Sequence, residues 1–458
     1  MLEKIVKEKR TMKKYHFIGI GGIGMSALAR ILLGQGYSVS GSDQNDSAVI
    51  QQLKELGAKI YLKHRATYVR KDQKVIYGSG IQETNSEFAK AKSKQLPMLH
   101  RADLLAHLLH GKSALLVAGS HGKTTTSSLL AHALKANNTD PSFAIGGIVK
   151  SLGTNGHHGS GKYFVAEADE SDGTFLRYGG MGAIITNIGN DHLNFWKTPE
   201  ALILGFKQFS KQIDRPEYLF WCRDSLLLRK AAIDGISYGF EEGATLRIES
   251  FIQVGWQTKF TCHFLGKKYE DILIPLTGRH NVLNACAVFG LLLQLRFPEN
   301  EIRSALQSFE GVGRRMEKKG EASQIVFYDD YGHHPNEIAA TLLATKTAVQ
   351  SQRLVVVFQP HRYTRTKDCM QDFANAFSKA DELIITDIYS AGEEPIEGIN
   401  SQALVEVIRK NHAKSLQYVA KEDLVSFLQK FVRPNDVVLT LGAGDITKIG
   451  PQVIERLI

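Results

Sequence analysis

Apolar residues along this chain gather in short continuous runs, and between the runs they recur at the three- and four-residue spacing of a helix face. That alternation predicts parallel strands joined by helices, because a strand covered on both faces reads as an unbroken apolar run. His16–Ile20 is the first run, followed by a glycine-rich turn, a helix from Met25 to Gly34 and a strand at Tyr37–Gly41. Val75–Tyr77 continues the rhythm. A second series starts at Ala114–Ala118, turns through glycine into a helix over Ser127–Leu134, and goes on to strands at Tyr163–Ala166 and Ala183–Asn187. From Arg247 to Leu276 the pattern changes to antiparallel alternation, before an apolar helix at Val282–Leu295. The third series has strands at Ile325–Tyr328, Leu354–Phe358, Leu383–Thr386 and Val437–Leu441, with a helix begun by Pro335 and another over Met370–Ala380.

A chain of 458 residues exceeds one ordinary core, and roughly 100 to 200 residues per domain gives about three. The expected class is therefore α/β in three domains. They are a Rossmann-like domain over 13–106, a central P-loop-type α/β domain with added antiparallel strands over 107–311, and a C-terminal Rossmann-like domain over 312–458. The composition, 43% apolar and 22% charged, is that of a folded globular protein. A net charge of +9 is spread along the chain, so a polyanionic small substrate fits it and no nucleic-acid partner is expected. Cys222, Cys262, Cys286 and Cys369 lack the paired spacing of structural zinc or a redox dithiol. No run of about 18 apolar residues occurs, so no membrane span is expected and the cytoplasm is the expected location. Met1 to Thr11 carries no motif, which makes Met12 a candidate start.

Candidate chemistry sits where strands end. Gly19, Gly21 and Gly24 form GxGxxG between a strand and a helix, with Asp43 closing the next strand. Taken alone, this fits a nicotinamide enzyme, another diphosphate ligand, or a tight turn without a ligand. Ala118–Thr125 is a shortened phosphate loop: a full Walker pattern needs glycine at 117, where Val117 stands. Even so, Gly122 permits the turn, Lys123 offers a cation to the β- and γ-phosphates, and Thr124 a hydroxyl to a metal. Glu167–Asp172 places hard oxygen ligands after a strand, although an isolated acidic run is more often a solvated loop. Asn187–His192 follows the next strand. In Arg279–Asn284 the amides suit an adenine edge, or Asn281 caps the helix. Arg314–Arg315, Asp329–Pro335 and Gln359–Thr366 complete the set, the last with two arginines suited to carboxylate or phosphate.

In order, the stretches FIGIGGIGMS, GSHGKTTT, EADESD, ITNIGNDH, GRHNVLNA, DDYGHHP, FQPHRYTRT, DIYSAGE and GAGDI resemble the Mur ligase family from about Phe17 to Ile446. The resemblance implies an ATP-dependent ligation of L-alanine to the lactyl carboxylate of UDP-N-acetylmuramic acid through an acyl phosphate. It further implies that Gly19, Gly21, Gly22 and Gly24 face the sugar nucleotide's diphosphate, with Ser42, Asp43 and Arg101 beside it. ATP would lie on Gly119, Ser120, His121, Gly122, Lys123, Thr124 and Thr125, with His280, Asn281 and Asn284 near adenine and Arg315 and Asp330 on the nucleotide. Thr124, Glu167 and His192 would hold Mg²⁺, with Mn²⁺ as the alternative. Tyr331, His333, Arg362 and Arg365 would surround L-alanine. Lys123, His333, Arg362 and Arg365 would carry the chemistry, and His333 or His334 would take the proton of the attacking amine. The chain is expected to act as a monomer or homodimer. The rival activities are joining a tripeptide to the same sugar nucleotide and, further off, an NAD-dependent dehydrogenation.

Overall fold

The computed structural model describes residues 14–189, 192–411 and 415–458, so Met12 and Asp191 lie outside the described residues. The first sheet consists of β1 (Lys14–Ile18), β2 (Ser38–Asp43), β3 (Lys59–Leu62), β4 (Lys74–Tyr77) and β5 (Met98–His100). Its order is β3-β2-β1-β4-β5, parallel throughout. Strand order reverses between β1 and β4, where the loop Gly19–Gly22 leaves β1; a crevice opens for ligands at such a reversal.

The second sheet has ten strands: β6 (Ser113–Ala118), β7 (Ser142–Val149), β8 (Thr154–His157), β9 (Tyr163–Ala168), β10 (Gly182–Ile185), β11 (Leu219–Cys222), β12 (Ile236–Gly239), β13 (Leu246–Val254), β14 (Gln257–Phe264) and β15 (Lys267–Ile274). They lie in the order β15-β14-β13-β12-β11-β10-β6-β9-β7-β8. Flanked by β10 and β9, β6 is central, and Leu115, Leu116 and Val117 are fully buried. Each such side chain contributes about 1.5–3 kcal/mol on burial. The helix that follows, Lys123–Ala136, is buried from Thr124 to Leu134, which accounts for its run of small threonines and serines.

In the third sheet β16 (Glu317–Ala322), β17 (Ile325–Asp330), β18 (Leu354–Phe358), β19 (Glu382–Ile385), β20 (Ser415–Tyr418) and β21 (Val437–Leu441) lie in the order β16-β17-β21-β18-β19-β20. β16 pairs antiparallel with β17, and the remaining pairs are parallel. The helix Pro335–Val349 opens with a reciprocal cap between His334 and Glu337.

One expected element is replaced. Instead of a helix over Met370–Ala380, there is a single turn at Phe373–Ala376, preceded by a short helix at Tyr363–Asp368. Phe373 and Phe377 pack on Phe358 with ring centres 5.5 and 5.1 Å away, and this aromatic packing overrides the helical spacing.

The chain forms two compact units. The first runs to Glu249 and adds Cys262–Tyr269 and Leu283–Phe309; the second takes Ser250–Thr261, Glu270–Val282 and Glu310–Ile458.

Candidate active site

In the first unit, Gly19 N and Ile20 N donate to Ser42 O at 2.8 and 3.0 Å, and Gly21 N donates to Asp43 Oδ2 at 2.9 Å. Asp43 thus shapes the glycine loop, and its other oxygen takes Asn45 N at 3.1 Å. The Ser42 side chain turns away from the loop into the interior. Its hydroxyl donates to Glu87 Oε2 at 2.7 Å and lies 2.8 Å from His64 Nδ1. Glu87 is fully buried; burial pushes its carboxyl up, but the bonds from His16 and Ser42 outweigh that and hold it below its ordinary range. The helix Ile23–Gly34 starts at Gly22 with no side-chain cap and no acid in its first turn, leaving its N-terminal amides suited to an anion. Arg101 lies against Gly24 and pairs with Asp169 at 3.2 Å and Asp172 at 3.6 Å.

The phosphate-type loop occupies the end of β6. Gly122, at φ +85°, caps the helix Lys123–Ala136 without a side chain. A Cβ there would stand 2.9 Å from Asn284 Oδ1, so Asn284 covers the loop. Asn187 holds the loop from the side, accepting from Ser120 N at 3.1 Å and His121 N at 3.0 Å and donating to His121 O at 2.9 Å. Thr125 is buried in the first helical turn.

Lys123 Nζ donates to Gly119 O and to Glu170 Oε2, both at 2.6 Å. Burial acts to lower the lysine's pKa, but Glu170, Asp169 and Glu167 overcome it and keep the ammonium charged. Glu167 accepts from Gly146 N at 2.7 Å, Ser127 Oγ at 3.1 Å and Thr124 Oγ1 at 3.3 Å, while burial pushes its carboxyl up. Glu170 is fully buried, and its Oε1 has no hydrogen-bond partner among the described residues; His192 Nε2 stands 3.8 Å from it. The hard oxygens of Thr124, Glu167 and Glu170, one of them buried and unsatisfied, suit a divalent cation. Among the described residues no three acidic, histidine or cysteine side chains already converge on one point.

In the second unit Tyr331 is the hub. Arg314 and Arg315 both face its ring, at 4.9 and 5.1 Å. Its carbonyl lies 3.0 Å from His333 Nδ1. A carbonyl only accepts, so Nδ1 carries the hydrogen and Nε2 is left as an acceptor. Burial pulls His333 down to about 4 against the pull of Glu337. Burial thus makes His333 a weaker base than histidine's usual pKa suggests, while its neutral Nε2 can accept a hydrogen bond from an ammonium. His334 is committed to capping its helix.

Asp330 accepts from Gly332 N at 2.8 Å and Met316 N at 2.9 Å, and burial pushes it up to about 6 despite Arg315. His280 is pulled down to about 4, by burial and then by the charge of Arg315. The Asn281 amide donates to Thr277 O at 2.8 Å within its own helix start. Arg365 Nη1 lies 3.1 Å from His361 Nδ1, and the His361 ring stacks on Tyr389 and lies 5.8 Å from that of His333. Arg362 is half exposed, with Nη1 3.9 Å from Glu393.

Residues 14–113 match the Mur ligase family catalytic domain, 117–292 the Mur ligase middle domain, and 314–444 the Mur ligase glutamate ligase domain. A UDP-N-acetylmuramate–L-alanine ligase of Protochlamydia amoebophila is 48% identical over 97% of this chain and 98% of its own. The chain belongs to the Mur ligase family. A second relative of the same description, from Geobacter sp., is 42% identical over 97% of this chain and 98% of its own. Among solved Mur ligase structures, the UDP-N-acetylmuramate-alanine ligase of Thermotoga maritima superposes with a TM-score of 0.85 at 30% identity, covering 97% of this chain and 98% of that one. The murein peptide ligase of Psychrobacter arcticus shares the fold, with a TM-score of 0.71 at 22% identity over 97% and 98% of the two chains.

The structure brings together Gly19, Gly21, Gly22, Gly24 and Arg101; Gly119 to Thr125 with Glu167 and Asn284; and Tyr331, His333 and Arg365. Ser42 contributes its carbonyl in place of its hydroxyl. Glu170, Asn187 and His361 were not singled out from the sequence, although each lies within or beside a quoted motif. Nothing in the sequence separates Glu170 from its acidic neighbours, because its burial beside the loop lysine shows only in the folded chain.

Proposed function

We propose that this Mur ligase joins L-alanine to the lactyl carboxylate of UDP-N-acetylmuramic acid at the cost of one ATP, in the assembly of peptidoglycan precursors. The reading rests on the near full-length 48% identity to a relative of that description, with a charged Lys123 held at a glycine loop. A carboxylate is a poor electrophile; transfer of the γ-phosphoryl makes it an acyl phosphate, which the amine attacks with release of phosphate. Lys123 stabilises the charge on the transferring phosphoryl, and the glycine loop that opens its helix binds the phosphates ahead of it. Thr124, Glu167 and Glu170, with His192 beside them, are the residues to hold Mg²⁺, which when bound screens repulsion between ATP and the carboxylate.

Gly19, Gly21, Gly22, Gly24 and Arg101 bind the diphosphate of the sugar nucleotide, shaped by Asp43. His280, Asn281 and Asn284 face adenine, and Arg315 and Asp330 the nucleotide. Arg362 and Arg365 receive the carboxylate of L-alanine, while His333 Nε2 accepts a hydrogen bond from its amine and aims the nitrogen. No helix among the described residues is long and apolar enough to cross a membrane, and action in the cytoplasm as a monomer or homodimer completes the proposal.

The test is phosphate release with ATP, Mg²⁺ and UDP-N-acetylmuramic acid, adding L-alanine or the tripeptide. Release dependent on L-alanine is expected; release with the tripeptide alone would replace this reading with the recycling activity.

A further inference from the structure

Neither Arg314 nor the turn Gly442–Ala443–Gly444 has a part in the reaction as set out above. The turn leaves β21, and its three successive carbonyl groups face one guanidinium. Arg314 Nη2 donates to Gly442 O at 2.6 Å and Gly444 O at 3.0 Å, and Nη1 donates to Ala443 O at 3.3 Å. Its Nε reaches Asp329 Oδ2 at 3.3 Å. Three carbonyl dipoles aimed at one place repel one another unless a cation sits among them, and a planar guanidinium meets several at once where an ammonium cannot.

On its far side the turn presses on the amino-acid end of the second unit. A Cβ on Gly444 would stand 2.4 Å from Gln359 Oε1 and 2.7 Å from Tyr389 Cγ, so any side chain there must displace those two. Tyr389 is the ring stacked on His361, with centres 5.6 Å apart. Arg314 also grips the other wall: its carbonyl accepts from Tyr331 N at 2.7 Å, and its guanidinium lies over the Tyr331 ring. Tyr331 in turn fixes the tautomer of His333.

We propose that Arg314 is a positioning residue for the incoming amino acid, clamping the 442–444 turn so that the Tyr389–His361 stack and the Tyr331–His333 pair keep the spacing that holds L-alanine. The proposal rests on the function given above. Arg314→Lys keeps the charge and loses the fork, so KM for L-alanine should rise about tenfold, with kcat and the KM values for ATP and UDP-N-acetylmuramic acid within about twofold of wild type. A residue that only held the fold together would lower the folded fraction, and so kcat, and leave every KM alone. Gly444→Ala pushes on Tyr389 with Arg314 intact, should give the same selective rise, and carries the test if Arg314→Lys does not fold. An unchanged KM for L-alanine in a folded variant, or three KM values rising together, would overturn the clamp. Wild-type protein that releases no phosphate on adding L-alanine would overturn the proposed function itself, a result distinguishable from either.

Discussion

Lys123 meets two opposing demands, being enclosed beside the phosphate loop and yet charged. Glu170 and Gly119 O, each 2.6 Å from its Nζ, reconcile them. Lys123→Ala should therefore fold and lose about 10²–10³ in kcat for phosphate release, the scale of removing one group that stabilises charge in the transition state; a loss under tenfold in purified, folded protein would contradict its assigned role. At the same scale, burial holds His280 and His333 down to about 4 and His361 to about 3. Unfolded, each returns towards about 6.5. Below that pH the unfolded chain binds protons that the folded chain refuses, so stability present above pH 6.5 is lost as the pH falls towards 4. Asp330, raised from 3.8 to about 6, acts in the opposite sense: its contribution is present below 3.8 and is lost as the pH rises through 6. Glu167, also raised by burial, acts as Asp330 does; three histidines outweigh these two carboxylates, so acid destabilises. In His361→Gln the slope of unfolding free energy against pH, measured by denaturant titration between about pH 6.5 and 4.5, should fall by about one proton. An unaltered slope would show that His361 does not titrate as described.

The loop at the end of β6 illustrates what an element requires of its residues. Gly119 has φ +133°, and a Cβ on it would stand 2.1 Å from Thr186 Oγ1 and 3.0 Å from the backbone of Asn187. Gly119→Ala is expected to disturb the loop more than Gly122→Ala, whose added Cβ has the Asn284 side chain as its nearest neighbour, at 2.9 Å. Isothermal titration with ATP should show the larger loss of affinity for Gly119→Ala, on the order of 1–3 kcal/mol of strain; equal affinities would mean that the loop is not held against Thr186. This strand–loop–helix unit was legible in the sequence because an unbroken apolar run ends in glycines and a lysine. The stretch at Met370–Ala380 was not, because its phenylalanines answer to Phe358 and not to a helix face. Glu87 and Glu170 were illegible for a related reason. A carboxylate in a sequence reads as surface, and only the folded chain shows His16, Ser42 and Lys123 gathered around the two buried acids.

Across the whole molecule, three series of strands were readable as three sheets, while the first compact unit takes in the first sheet and most of the second. Asn155 Nδ2 donates to Ile23 O at 2.6 Å and Ser26 Oγ at 3.0 Å, and a Cβ on Gly156 would stand 2.5 Å from Ala27 O. These contacts dock β8 directly on the helix that opens at the first glycine loop. Asn155 and Gly156 belong to no motif in the sequence, so the union was hidden. With Arg101 bridging to Asp169 and Asp172, it ties the first glycine loop to the acidic segment that faces Lys123. The central claim is that this arrangement delivers the γ-phosphoryl of ATP to a carboxylate and not to water. Turnover with UDP-N-acetylmuramic acid carrying ¹⁸O at both oxygens of its lactyl carboxylate, followed by mass spectrometry of the released phosphate, tests it most directly. One ¹⁸O per phosphate is predicted; phosphate free of label would contradict the acyl-phosphate route.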